Sequence, residues 1–168
     1  ASTYDGSDNY TGGSILEYVD VLYAGGTSNE GAVNIRSTNL YLNNVTIQHS
    51  AHYGIQMEKT NVQAVGLTKI ENSLITDNGS SGIECQADKY NIQITIHNCT
   101  IKNNQGTGIS TSSGDAGGTQ LYIFTNNLVD GNTGSGITVM GGDAGQSIIA
   151  NNIVNNNTSN GIRTRACN

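Results

Sequence analysis

Residues 70–85 read IENSLITDNGSSGIEC, and the pattern inside this stretch returns along the chain. Ile75 precedes the pair Gly82-Ile83 by seven positions, Ile70 stands five positions before Ile75, and Asn72 stands three positions before it. The arrangement occurs five times, and its Gly-aliphatic pairs are Gly54-Ile55, Gly82-Ile83, Gly108-Ile109, Gly136-Ile137 and Gly161-Ile162. Self-similarity with a period of 25 to 28 residues is typical of a solenoid.

Each repeat predicts three short strands separated by two corners. Two apolar side chains five positions apart cannot share one face of a strand, because side chains alternate with a period of two. The chain must therefore bend between them, and the asparagine at the bend tolerates the left-handed backbone conformation. A small polar segment such as residues 77–81 supplies the second corner, and the third strand follows the glycine. Three strands per turn predict an all-β parallel β-helix with apolar columns inside and an asparagine ladder at a corner.

An earlier coil precedes the five repeats. Leu16 and Val21 repeat the five-residue spacing, Tyr18 takes the place of the asparagine, and Gly31-Ala32-Val33 follows after a longer loop. The sequence thus predicts a single parallel β-helix domain over residues 1–168, with about six coils. No segment keeps the 3.6-residue apolar period of a helix, so helices are not expected.

Composition excludes several classes of function. The net charge is −6 and only seven Lys and Arg are spread along the chain, which argues against nucleic-acid binding. No apolar run reaches the length of about 18 residues that a membrane span needs. The three cysteines do not suggest a disulfide framework, since Cys85 takes an inward strand position; we expect buried thiols, with a single Cys85 to Cys99 bridge as the alternative.

The repeat has the form N-x-x-I-x-x-N-x-x-x-G-I and resembles the extracellular parallel β-helix repeats of the right-handed parallel β-helix, or pectin-lyase-like, superfamily. The resemblance extends from Gly13 to Arg163. It implies a right-handed column and a secreted or cell-surface location. Members include polysaccharide lyases, hydrolases, uronate epimerases, tailspikes and adhesins, so the resemblance does not choose among functions. Members usually close their columns with a helix or loops; none is evident here, so we expect open ends that contact neighbouring domains of a larger protein.

Polar side chains on the outward face of the third strands are the first candidate site. Gln56, Glu84, Ser110, Thr138 and Arg163 are expected to form one column, and Glu58, Gln86, Ser112, Met140 and Arg165 the next. In the similar enzymes this sheet forms the sugar-binding groove, where paired carboxylates do acid-base work. Glu58 and Glu84, in adjacent coils, are therefore the catalytic candidates, although the catalytic motifs of those enzymes are missing from this chain. The candidate binding residues are Gln56, Gln86, Arg163, Arg165, Tyr53 and Tyr90.

Tyrosines could add stacking surfaces for sugar rings. Five of them are expected near corners or at outward positions, namely Tyr23, Tyr41, Tyr53, Tyr90 and Tyr122. Their scatter along the chain, together with the absence of tryptophan, predicts weak rather than strong glycan stacking.

Two similar loops are the candidate metal site. Gly114-Asp115-Ala116-Gly117 and Gly142-Asp143-Ala144-Gly145 occur at the same phase of the repeat, and Asp88 falls at nearly that phase one coil earlier. A row of carboxylates with nearby carbonyl oxygens suits Ca²⁺, which takes six to eight oxygen ligands. The alternative is that each aspartate bonds the backbone of its own turn. No other cofactor is expected.

Together these features favour a non-catalytic extracellular module that binds glycan or presents an interaction surface. A polysaccharide-processing enzyme, whether lyase, hydrolase or epimerase, and a rigid structural spacer are the two alternatives.

Overall fold

A computed structural model describes residues 1–26, 30–36, 38–59, 66–87, 92–113, 120–141 and 146–166. The described residues form strands and turns, and none of them forms a helix that could span a lipid bilayer. The strands are β1 (Thr3–Tyr4), β2 (Tyr10–Gly12), β3 (Ile15–Glu17), β4 (Asp20–Leu22), β5 (Gly31–Arg36), β6 (Tyr41–Asn43), β7 (Thr46–Gln48), β8 (Tyr53–Lys59), β9 (Gly66–Glu71), β10 (Leu74–Thr76), β11 (Ile83–Ala87), β12 (Ile92–His97), β13 (Thr100–Lys102), β14 (Ile109–Ser113), β15 (Gln120–Thr125), β16 (Leu128–Asp130), β17 (Ile137–Gly141), β18 (Gln146–Ala150), β19 (Ile153–Asn155) and β20 (Ile162–Ala166).

Three parallel sheets of six strands each run along the molecule. The first sheet has the order β3-β6-β9-β12-β15-β18, the second β4-β7-β10-β13-β16-β19 and the third β5-β8-β11-β14-β17-β20. Each coil contributes one strand to each sheet, so the chain makes about five complete turns between its first and last coils. The predicted parallel β-helix with three strands per coil is confirmed.

The apolar columns fill the interior in the predicted register. Ile47, Ile75 and Ile101 are register partners on β7, β10 and β13, and none has exposed surface. The residues five positions earlier and eight positions later form two further columns of the same kind. Burying each such side chain contributes about 1.5–3 kcal/mol, so the stacked columns are the main source of stability. At the last coil the columns open, and Ile162 is about half exposed.

Both corners require the left-handed backbone conformation. At the first corner φ lies between 51° and 59° at Tyr18, Asn44, Asn72, Asn98, Asn126 and Asn151. At the second corner the residues with positive φ are Tyr23, His49, Asp77, Asn103, Gly131 and Asn156. The prediction that asparagine makes the first bend, with Tyr18 in its place in the first coil, is confirmed.

A continuous asparagine ladder lies at the second corner, one position after the bend. Asn78, Asn104 and Asn132 are fully buried, and each donates from Nδ2 to Oδ1 of the ladder residue in the next coil at 2.9 Å, ending at Asn157. The first corner carries a shorter, exposed ladder in which Asn98 donates to Asn72 at 2.7 Å. Polar side chains inside the column are therefore paired along the stack, as buried polar groups must be.

The recurring glycine is needed because neighbouring coils approach closely. A Cβ placed on Gly82 would lie 2.7 Å from Cγ2 of Ile101 and 2.8 Å from Nδ2 of Asn104. Gly54, Gly108 and Gly136 meet the same two types of neighbour. The glycine thus leaves space for the ladder and for the second apolar column.

An N-terminal hairpin, β1 with β2, packs on the outward face of the first sheet, and the sequence did not predict it. Tyr10 stacks on Tyr41 of β6 with ring centroids 5.0 Å apart. Lys69 donates from Nζ to the carbonyl of Asp8 at 3.0 Å, and Gln93 donates to the Asp8 carboxylate at 3.2 Å. The hairpin therefore covers the side of the column across several coils.

Two of the three cysteines are free thiols inside the column. Cys85 and Cys99 are buried and unbridged, so the Cys85 to Cys99 bridge kept as an alternative is not formed. Burial raises the pKa of the Cys99 thiol to about 12. Cys167 lies outside the described residues.

Candidate functional site

The outward face of the third sheet carries the polar column that the sequence predicts. Glu84 of β11 is the register partner of Gln56 on β8 and of Ser110 on β14, and the column continues through Thr138 to Arg163. In the second column Gln86 pairs with Glu58 and Ser112. In the next two coils the register pairs of β14 and β17 end at Thr111 and Val139. Beyond them, Met140 donates its backbone N–H to Oγ1 of Thr111 at 3.1 Å. Met140 and Arg165 are partners in the last two coils.

Gln56 is buried although its strand position faces outward. Only 4% of the residue is exposed. Gly31 of the preceding coil makes room for it, since a Cβ on Gly31 would lie 3.1 Å from Cβ of Gln56. Nε2 of Gln56 donates to Oε1 of Glu58 at 3.2 Å. Because a carboxylate only accepts, the nitrogen must face Glu58 and the amide oxygen must point the other way.

The amide oxygen of Gln56 has no hydrogen-bond partner among the described residues. A buried acceptor without a partner costs about 1–3 kcal/mol, and such groups are rare in native proteins. This oxygen has almost no exposed surface, so a ligand could contact it only after neighbouring groups move. The sequence could predict the position of Gln56 in the column but not its burial.

Glu84 is the register partner of Gln56 in the next coil and is partly buried. Burial raises the pKa of its carboxyl group, and hydrogen bonds with the side chains of Ser110 and Ser81 oppose that rise. Burial also raises the pKa of Tyr53, with a further contribution from the Glu84 charge, while a hydrogen bond with the Ser80 side chain lowers it. The Glu84 charge thus acts on Tyr53, and Glu84 is in register with Gln56 on the same face.

Glu58, the second predicted catalytic carboxylate, has a different environment. Its Oε2 lies 3.3 Å from Nε of Arg36, and Nη2 of Arg36 lies 3.3 Å from Oε1 of Glu30. Exposed pairs of this kind contribute about 0–1 kcal/mol, but they neutralise the charge of Glu58 locally. Glu84 belongs to no ion pair within the described part of the chain, so the two carboxylates are not equivalent.

The structure separates the other predicted binding residues from this position. Gln86 is exposed beside Glu58. Arg163 and Arg165 are exposed in the last coil, and three coil steps separate Arg163 from Glu84, or about 14 Å at strand spacing. Tyr90 lies outside the described residues.

The tyrosines follow the predicted scatter only in part. Tyr122 was expected at an accessible position, and this is wrong: it shares the inward face of β15 with Phe124 and has no exposed surface. Tyr41 is gathered into a cluster with Tyr4 and Tyr10, because the N-terminal hairpin brings them together. Tyr23 is exposed and stacks on the ring of His49 with centroids 4.9 Å apart.

Sequence reasoning missed Ser80, Ser81 and Arg36. Ser81 directly precedes the recurring Gly82, and Tyr53 occupies the same phase one coil earlier, which was the available signal. Arg36 stands three positions after Val33, as Glu58 stands three after Ile55, so the same spacing could have placed it beside Glu58.

The predicted calcium ligands Asp88, Asp115 and Asp143 lie outside the described residues. Within the described ranges, no group of three or more His, Cys, Asp or Glu side chains is placed to hold a metal ion. The outward face instead offers the Glu84 carboxylate and the Tyr53 hydroxyl as hydrogen-bond acceptors. Such a set can hold a ligand rich in donors.

Comparison with known proteins gives one match. Residues 9–168 match a family model described as a right handed beta helix region. No curated protein and no solved structure matches the chain. The match covers nearly the whole sequence and agrees with the three parallel sheets.

Proposed function

Because the chain belongs to the right-handed β-helix family, a fold that carries many activities, we propose a function from its site: it is a module that binds glycan through the outward face of the third sheet. A glycan is rich in hydroxyl donors and has apolar ring faces. The Glu84 carboxylate offers an acceptor close to the aromatic ring of Tyr53, which is a composition that suits sugar recognition.

The partly buried carboxylate of Glu84 on the outward face is the observation that carries this proposal. Its register partners on the two adjacent strands, Gln56 and Ser110, are polar, and its charge acts on Tyr53. A ligand hydroxyl that donates to this carboxylate would add a hydrogen bond to a charged group, worth about 1.5–3 kcal/mol.

Calorimetric titration of the full chain with neutral, cationic and anionic oligosaccharides tests the proposal. We expect binding to at least one class, and a loss of about tenfold in affinity for Glu84→Leu, since a charged acceptor on the outward face is removed. Gln48→Leu is the matched control, because Gln48 occupies an outward strand position on the second sheet. Equal affinities for the two variants, or no binding by any oligosaccharide class, would contradict the proposal.

One observation favours a polysaccharide-processing enzyme as the second candidate. The raised pKa of Glu84 is what a general acid requires, and Tyr53 stands beside it. Glu58, however, is held by Arg36 and by Gln56 and is not free to act as a base. An assay for new reducing ends and new unsaturated ends distinguishes the two: product that disappears in Glu84→Gln would support the enzyme.

A secreted or cell-surface location belongs to the same proposal, because polysaccharides are met there. A protein that neither binds nor cleaves any oligosaccharide would leave the rigid spacer as the better description of the column.

A further inference from the structure

We propose that Asn160 and Gly161 form a self-modification site, where the asparagine side chain reacts with the next backbone nitrogen and becomes aspartate or isoaspartate. The inference goes beyond the proposed glycan binding and does not depend on it. The sequence has two Asn-Gly pairs, Asn78-Gly79 and Asn160-Gly161, and the fold treats them in opposite ways.

The reaction needs only the chain and water. The backbone nitrogen of Gly161 loses its proton to a base in solvent and attacks Cγ of Asn160. A bond forms between that nitrogen and Cγ, the bond from Cγ to Nδ2 breaks, and the side-chain nitrogen takes a proton from water and leaves as ammonia. Water then opens the succinimide ring: cleavage of the new bond gives aspartate, and cleavage of the original peptide bond gives isoaspartate. Glycine favours the attack because it has no Cβ beside the reacting nitrogen.

The two reacting groups of the second pair are accessible. Asn160 and Gly161 are both exposed. In the preceding coil the recurring glycine holds its N–H in a hydrogen bond, since Gly136 donates to the Asn160 carbonyl at 2.9 Å. Within the residues that the structure describes, no acceptor receives the Gly161 N–H. The Asn160 side chain has one long contact, from Nδ2 to Oγ of Ser159 at 3.4 Å.

The space around Gly161 also allows the ring to close. A Cβ placed on Gly161 would meet only Cγ1 of Val154 at 3.9 Å, which is an ordinary van der Waals distance. The backbone at this pair is therefore not enclosed by packed neighbours, and a small change in its torsion angles meets no steric barrier.

The first pair is locked by the asparagine ladder. Asn78 is fully buried, its Nδ2 donates to Oδ1 of Asn104 at 2.9 Å, and its Oδ1 accepts from the N–H of Ser50 at 3.0 Å. The attacking nitrogen is held as well, because Gly79 donates its N–H to the Ser50 carbonyl at 2.9 Å. A Cβ on Gly79 would lie 2.3 Å from the carbonyl oxygen of Ala51, so this backbone has no room to move. Reaction at Asn78 requires that the ladder first opens.

The two products would affect the last coil differently. Aspartate at position 160 keeps the main chain and adds one negative charge. Isoaspartate makes the main chain one carbon longer and turns the carbonyl that accepts from Gly136 into a free carboxylate. The hydrogen bond that joins the last two coils at this point is therefore altered by isoaspartate and kept with aspartate.

Peptide mapping by mass spectrometry of the full chain, incubated at mildly alkaline pH, tests the inference. In the folded protein we expect Asn160 to be converted at least about tenfold faster than Asn78, because Asn78 is released only by local opening. In concentrated urea the two sites should react at similar rates. Conversion of Asn160 should accelerate as pH rises, since the Gly161 nitrogen must lose its proton. Fragmentation that breaks the bond between N and Cα distinguishes isoaspartate from aspartate, and we expect both.

Gly161→Ala is the matched control variant. Its Cβ fits the fold but hinders attack by the backbone nitrogen, so conversion of Asn160 should slow severalfold. Unchanged conversion in Gly161→Ala would assign the reaction to direct hydrolysis of the amide and would overturn the inference. Asn160 that stays intact in the folded protein but is converted in urea would also overturn it, as would equal rates at Asn160 and Asn78 in the folded protein.

Discussion

Asn78 and Asn104 stand on successive coils, and both Nδ2 and the backbone N of Asn78 donate to the same Oδ1 of Asn104, at 2.9 Å and 3.1 Å. Removing that oxygen leaves two buried donors unpaired, each costing about 1–3 kcal/mol. We therefore expect Asn104→Ala to lower the free energy of unfolding by about 3 kcal/mol. Urea denaturation of the native protein and of Asn104→Ala measures this difference in the free energy of unfolding. The exposed neighbour Gln105 is the control, and a Gln105→Ala loss of the same size would contradict the role of the ladder.

Tyr18 has φ of 54° and is 77% exposed, at a corner where the later coils use asparagine. A bulky residue in the left-handed region stores about 1–3 kcal/mol of strain, whereas asparagine tolerates the conformation. Tyr18→Asn should raise the free energy of unfolding by about 1 kcal/mol. Thermal and urea melting of Tyr18→Asn and Tyr18→Phe provide the comparison, and a stabilised Tyr18→Phe with an unchanged Tyr18→Asn would refute the strain.

Gly82 lies against the coil above it, where a Cβ would lie 2.7 Å from Ile101 and 2.8 Å from Asn104. Gly82→Ala should destabilise the protein by about 1–3 kcal/mol, because the neighbours are packed and must shift. Gly6→Ala is the matched control, since nothing lies within 4 Å of its Cβ position. The measurement is the free energy of unfolding of Gly82→Ala and of Gly6→Ala. Equal values would show that the glycine at position 82 is not needed for packing.

Burial raises the pKa of Glu84 in the folded state above its ordinary value. The folded protein then binds more protons than the unfolded chain in the window just above the ordinary carboxyl pKa, so stability falls as pH rises through it. Glu84→Gln removes this pH-dependent loss of stability. We expect the variant to gain stability relative to the native chain as pH rises from acid to neutral, and the gain to vanish at low pH. Parallel curves of unfolding free energy against pH would contradict the assignment.

Cys99 is buried, and its pKa is raised to about 12. Since the thiolate is the reactive form, a soluble thiol reagent should leave Cys85 and Cys99 unmodified in the native protein and react with both after unfolding. Labelling a Cys167→Ser variant, followed by mass spectrometry, counts these two thiols alone. Rapid modification of either one in the native state would show that the column opens.

The fold could be predicted because the residue spacing that determines it lies within each repeat. Ile70 and Ile75 are five positions apart with an asparagine between them. Both side chains can point inward only if the chain bends at that asparagine. The register of Glu84 with Gln56 followed from the same spacing. Even the unusual corner residue Tyr18 was placed correctly by phase alone.

The parts that the sequence could not supply depend on contacts between distant residues. The hairpin is held where Asp8 meets Lys69 and Gln93, across 61 and 85 positions of sequence. The burial of Gln56 depends on Gly31 in another coil. Tyr122 was misplaced because its strand begins in a loop of variable length, so its inward phase could be counted only from Phe124.

From the second coil onward, the variation in chain length between core residues lies at one corner. The first and second core residues are five positions apart in every coil, as at Leu42 and Ile47, and from the second coil onward the third follows eight positions later, as at Ile55. Between the third core residue and the first of the next coil the distance ranges from 9 to 15 positions. Foreign peptides inserted at that corner in consecutive coils would therefore be displayed along the column with a spacing of about 4.8 Å between neighbouring insertions.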